Sequence, residues 1–168
     1  MQSQKSNAES VKEFTEGALG KKCPNTPIKM TRDQVLFTIR MVMSELDELA
    51  ATVCDSEEES TKLMTEALNT IDKCHNFKYN DDVDIIASQA DSMVDAWYYM
   101  LNISVKHGMN LSAIFDIVHN ANMDKRDPIT HQFIRRESDG KVLKRTGWTE
   151  PDINKEIGRQ MTDGSFKE

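Results

Sequence analysis

Four carboxylates carry the strongest chemical signal in this sequence. Glu45-x-x-Glu48 and Asp91-x-x-x-Asp95 each place two acids on one side of a helix, because residues three or four apart share a face. Carboxylate oxygens are the ligands that Mg²⁺ takes, usually with several waters retained, and the ion can bridge polyphosphate oxygens. An acidic chain can bind an anionic substrate in that way. Each pair alone has an ordinary alternative, the wet face of an amphipathic helix.

The helices that must carry these acids are legible from caps and periodicity. Thr31-x-x-Gln34 has capping-box spacing and opens the first long helix. Leu36, Ile39, Met43, Leu46, Ala50 and Val53 then repeat in threes and fours as a core stripe. Asp33, Arg40 and Asp47 share a solvent-facing arc. Glu45 and Glu48 lie on neither; they fall with Phe37, Met41 and Thr52 on a third, partly apolar side. The helix that Asp81 and Asp82 precede runs to Gly108 and is the most apolar segment. Between Ile85 and Val105 its only charges are Asp91 and Asp95. Asn102 shares their face, and Tyr98 and Tyr99 flank it. If this helix is buried, bare carboxylates there cost several kcal/mol each unless paired or metal-bound. Two such helices can present four carboxylates to one cavity.

The remaining segments frame this pair. Residues 1–30 read as a helical arm (Val11, Phe14, Ala18) followed by a linker containing Pro24 and Pro27. Residues 31–127 form a core of four helices. Its second helix starts at Ser56-x-x-Glu59, runs to about His75 and is polar enough to lie outermost; its fourth is capped by Asn110 and runs through Met123. Residues 128–168 hold a short β-hairpin, from Phe133 to Lys144 around Asp139-Gly140, and a frayed tail with Gly158 and Gly164.

Composition removes several classes. The 168 residues fit one domain. Lys and Arg total 21 against 28 Asp and Glu, and a formal charge of −7 disfavours a nucleic-acid groove. Gly20-Lys21-Lys22 lacks the Ser or Thr and the spaced upstream glycine of a P-loop, and there is no HExxH. Cys23, Cys54 and Cys74 form no CxxC and leave one thiol unpaired, which predicts a reducing compartment and thiols in helices. The polar opening residues argue against secretion and for a cytoplasmic protein without a membrane span.

Taken in order, these segments resemble the all-α nucleotide pyrophosphohydrolases: the MazG-like proteins, the dimeric dUTPases and, most closely, the phosphoribosyl-ATP pyrophosphohydrolase-like branch. The likeness rests on Glu45-x-x-Glu48, then Asp91-x-x-x-Asp95-Ala-Trp-Tyr-Tyr. It extends to Val11-x-x-Phe14 with Gly20, Pro24 and Pro27, and to His107-Gly108-Met109-Asn110-Leu111. Val118 to Lys125, Asp139 to Lys144 and Gly147-Trp148 complete it, so it covers roughly residues 10–153. The chain departs from the branch where Ser92 stands three before Asp95, with the acid one position earlier at Asp91, and where Ser44 precedes Glu45.

The resemblance implies an all-α fold, an antiparallel four-helix bundle of the all-α NTP pyrophosphatase type, assembling as a homodimer or dimer of dimers. It implies a hydrolase that splits the α–β phosphoanhydride of an NTP, dNTP or phosphoribosyl-ATP-like nucleotide into a monophosphate and pyrophosphate. Glu45, Glu48, Asp91 and Asp95 would hold Mg²⁺ or Mn²⁺, and Glu45 or Glu48 would take the proton of the attacking water. Asn122, Lys125 and Asn102 would bind substrate. Two alternatives stand beside it. One is an inactive homologue that binds nucleotide or metal without turnover. The other is a di-metal oxidative bundle, for which the chain offers only Asp72-x-x-His75 and Asp116-x-x-His119 in place of paired Glu-x-x-His.

Overall fold

The computed structural model describes residues 5–72, 78–138 and 140–166. They are all-helical: α1 (Asn7–Leu19), α2 (Arg32–Ala51), α3 (Glu57–Thr70), α4 (Asp82–Lys106), α5 (Leu111–Met123) and α6 (Ile153–Asp163).

Local chemistry explains where these helices start and stop. Thr31 accepts the Gln34 amide at 3.3 Å while the Gln34 side chain accepts the Thr31 amide at 2.8 Å, so the expected capping box is complete. Ser6 and Glu9 close a second box at the start of α1. Ser56 caps α3, but Glu59 reaches back to the Asp55 amide, at 2.8 Å, in place of that of Ser56. Asn110 accepts from the amides of Ser112 and Ala113. Gly108, at φ 72°, ends α4 with the Met109 amide donating to the Ser104 carbonyl at 2.9 Å, a turn that needs the left-handed conformation glycine allows.

The chain divides into two compact units, Pro27–Met93 and Met1–Thr26 with Val94–Glu168. In the first, α2 packs on α3. An apolar cleft between them is lined by Met43, Leu46, Ala50, Leu63, Met64 and Ala67 among others. The buried Ser60 hydroxyl donates to Asp47 at 2.9 Å. The segment before α2 is pinned to α4 by Gln89, which accepts from the Met30 amide (3.0 Å) and donates to its carbonyl (3.3 Å).

In the second unit, α5 packs against α1 and α6. The Phe14 and Phe133 rings meet edge to face at 5.2 Å, and the Arg126 guanidinium sits 5.1 Å from the Phe133 ring centroid. Gly17 makes room for that ring: an added Cβ would stand 2.8 Å from Phe133 Cε2.

Three expectations need correction. The tail beyond Pro151 is not frayed; it forms α6, started by Asp152, whose carboxylate accepts the Lys155 amide at 3.0 Å. The buried Gln160 joins α6 to α5 by accepting the Asn110 amide (2.8 Å) and donating to the Asn110 carbonyl (3.2 Å). At the expected hairpin the Leu143 amide donates to the Ile134 carbonyl at 2.8 Å. Among the described residues there is no strand, only the isolated bridges Arg135↔Val142 and Arg126↔Phe133. Ile134 remains exposed, and an edge of this length buries too little apolar surface to extend a ladder. Cys23 and Cys54 are free and half-buried in irregular segments, not in helices. Cys74, His75 and Asp139 lie outside the described residues, and α3 ends at Thr70, short of His75.

Few of the described side chains are buried. Ala50 is the sole buried hydrophobic residue among those described, while Phe37, Leu49, Val94, Trp97, Tyr98 and Tyr99 are all exposed.

Candidate active site

α2 sets Glu45 and Glu48 one turn apart on the side it shares with the exposed Phe37 and Met41. α4 does the same for Asp91 and Asp95, on a face flanked by the exposed Tyr98 and Tyr99. Ser92 does not substitute for the missing acid; its hydroxyl donates to the Ser88 carbonyl at 2.9 Å, a bond within the helix. All four carboxylates are exposed and, among the described residues, none has a hydrogen-bond or ion-pair partner. Their neighbours differ: Asp47 receives the Ser60 hydroxyl, and Asp84 accepts from the Asn80 side chain at 2.6 Å.

These donors suit a hard divalent cation in kind. They are oxygens, they come in same-face pairs, and no lysine or arginine already neutralises them. Among the described residues no three His, Cys, Asp or Glu side chains stand close enough to share a metal ion. Each pair is formed by its own helix.

A cationic group forms at the end of α5. Lys125 Nζ donates to Asn122 Oδ1 at 2.7 Å, which brings together two of the expected substrate-binding residues. The third, Asn102, is half-buried on α4 without a hydrogen bond among the described residues. Lys125 is half-buried, and its ammonium pKa is pushed down, first by burial and then by the nearby charges of Lys144 and Lys141. The indole of Trp148 lies beside it, with its Nε1–H donating to the Ala121 carbonyl at 2.7 Å. Lys125 Nζ is 5.4 Å and Lys144 Nζ 4.3 Å from the ring centroid. Arg145 completes the arrangement by binding the Asp124 carboxylate through Nη2 and its backbone carbonyl through Nε. Sequence reasoning had no signal for this last pairing, since the two residues are 21 apart and lie in no periodic element together.

No helix among the described residues is long and apolar enough to cross a membrane. The comparisons with known proteins agree with the helical layout. The family described as phosphoribosyl-ATP pyrophosphohydrolase matches residues 11–122, which include both acidic pairs and Asn122 but stop short of Lys125. No curated protein matches the sequence. Among solved structures, the chain is similar to a candidate NTP pyrophosphohydrolase from Exiguobacterium sp. 255-15, with 25% identity and a TM-score of 0.76 over 95% of this chain and 98% of that one. With two-thirds of its length under the family match, this chain belongs to the phosphoribosyl-ATP pyrophosphohydrolase family.

Proposed function

We propose that the protein is a metal-dependent nucleotide pyrophosphohydrolase that cleaves the α–β phosphoanhydride of an NTP, a dNTP or a phosphoribosyl-ATP-like nucleotide, releasing a monophosphate and pyrophosphate. The observation that carries this reading is the set of partnerless acids Glu45, Glu48, Asp91 and Asp95, within the span that matches the family. Unpaired acids on exposed helix faces suit a cationic ligand.

Glu45, Glu48, Asp91 and Asp95 would hold Mg²⁺ or Mn²⁺, which would supply Lewis acidity and offset phosphate charge. Glu45 or Glu48 accepts the proton of the attacking water as its oxygen bonds to phosphorus. The bridging P–O bond breaks, and its electron pair leaves with the pyrophosphate. Lys125 and Asn122 orient the phosphates, the lysine as a point charge and the amide as a hydrogen-bonding partner. Asn102 contributes a further polar contact from the acidic face of α4.

The antiparallel four-helix bundle and the full ligand set belong, in this reading, to a homodimer or dimer of dimers. The exposed apolar sides of α2 and α4 support that assembly, since contiguous apolar surface on a soluble chain marks an interface. Free Cys23 and Cys54 fit a cytoplasmic setting.

The test is pyrophosphate release from a panel of NTPs, dNTPs and phosphoribosyl-ATP, with Mg²⁺, with Mn²⁺ and after chelation, for the wild type and Glu48→Ala. Metal-dependent release that Glu48→Ala abolishes is the expected result. Saturable nucleotide binding without release under any condition would make the protein an inactive homologue.

A further inference from the structure

The cationic group at the end of α5 has a feature that ordinary surface lysines lack. Two ammonium groups, from Lys125 and Lys144, lie against one indole ring. Like charges gathered this closely repel, and burial adds a cost at Lys125. The negative face of an indole offsets part of that, most effectively where water is thinned.

The surroundings hold the arrangement in place. Trp148 is fixed by its Nε1–H on the Ala121 carbonyl, at the last turn of α5. Arg145, next in the chain to Lys144, is tied to Asp124, next in the chain to Lys125. This tie engages the Asp124 carboxylate with a cation other than Lys125. Among the described residues, Lys125 then has only the neutral Asn122 oxygen as a hydrogen-bond acceptor, leaving donors of its three unfilled. Lys144 contacts Glu150 at 3.2 Å, a pair exposed to solvent on both sides and so easily exchanged for a stronger acceptor.

We infer that Trp148 is a positioning residue that holds Lys125 and Lys144 together as a two-ammonium clasp for a pyrophosphate group, the end of the nucleotide that departs as product. A diphosphate spreads several negative charges over adjacent phosphoryl oxygens, which suits two separately anchored point charges better than one. Binding it would satisfy the open Lys125 donors and remove the repulsion between the lysines. This inference rests on the proposed hydrolase reading for the identity of the anion and extends the site to Lys144 and Trp148, which flank the expected Lys125.

The probe is inorganic pyrophosphate, titrated calorimetrically into the full chain with chelator present, so that the carboxylate site does not contribute. Wild type should bind it, and Lys144→Gln should weaken binding roughly tenfold, the effect of losing one hydrogen bond between charged groups. Lys144→Arg should restore most of the loss. Trp148→Leu should weaken binding to a similar degree and Trp148→Phe, which keeps an aromatic face, much less. In turnover assays Lys144→Gln should raise KM with little change in kcat, a division that a merely structural role would not produce. Failure of the wild type to bind pyrophosphate, or wild-type affinity in Lys144→Gln, overturns the clasp. Absence of turnover on every nucleotide, with pyrophosphate binding still lost in Lys144→Gln, overturns the hydrolase reading and leaves the clasp standing.

Discussion

Arg145 grips Asp124 from two directions: Nη2 reaches the carboxylate oxygens at 2.8 and 2.7 Å, while Nε donates to the main-chain carbonyl at 2.7 Å. The planar guanidinium can make these bonds together, and an ammonium cannot. Arg145→Met should therefore lower stability by about 1–2 kcal/mol, more than an exposed ion pair contributes. Arg145→Lys should recover little of it. Urea unfolding of the three proteins, followed by circular dichroism, reads both expectations.

The partnerless acids predict an unusual separation of activity from stability. Glu48→Ala and Asp91→Asn remove no hydrogen bond or ion pair found among the described residues. Unfolding free energies should stay within about 0.5 kcal/mol of wild type. Pyrophosphate release should fall on the order of a hundredfold or more for Glu48→Ala, the scale of losing a general base. A large loss of helicity in either variant would assign these acids to structure instead.

Association is expected from the exposed apolar sides of α2. Light scattering on a sizing column should give an integral multiple of the 19.2 kDa chain mass, two or four copies. Leu49→Glu places an unpaired charge on that surface and should shift the elution toward one copy. Wild-type elution at the single-chain mass would remove the assembly from the proposal.

Acid should loosen the junction between α5 and α6. Glu156 accepts from Arg159 and from Gln160, and these bonds, Arg159 first, hold its carboxyl at about 2, below the ordinary 4.5. Because the folded value is the lower one, the unfolded chain binds more protons between the two, and stability falls as pH falls. The contribution is complete above 4.5 and is lost on descending toward about 2. Glu156→Gln should flatten the stability–pH curve within this window, measured by thermal unfolding at stepped pH.

The parts of the fold legible in the sequence were those decided by neighbours in the chain. The starts of α2 and α3, at Thr31 and Ser56, and of α5, at Asn110, are cap chemistry spanning three or four residues. The turn at Gly108 is equally local. α6 was not legible because Gly158 and Gly164 read as breakers, whereas its stability comes from Gln160 bonding to Asn110, 50 residues away. Its only local signs were Asp152 as a cap and Ile153, Ile157 and Met161 at intervals of four. The candidate site divides in the same way. The facing of Glu45 with Glu48 and of Asp91 with Asp95 follows from helix pitch. No spacing rule encodes whether pairs on two different helices meet.

The exposure of so many apolar side chains among the described residues has a thermodynamic consequence. Chain entropy opposes folding by an amount that scales with length, and apolar burial is the main term set against it. A polypeptide that keeps Val94, Trp97 and Leu49 in contact with water has forgone much of that term. If the proposed assembly covers these side chains, folding and association form one coupled equilibrium, and dilution acts as a denaturant.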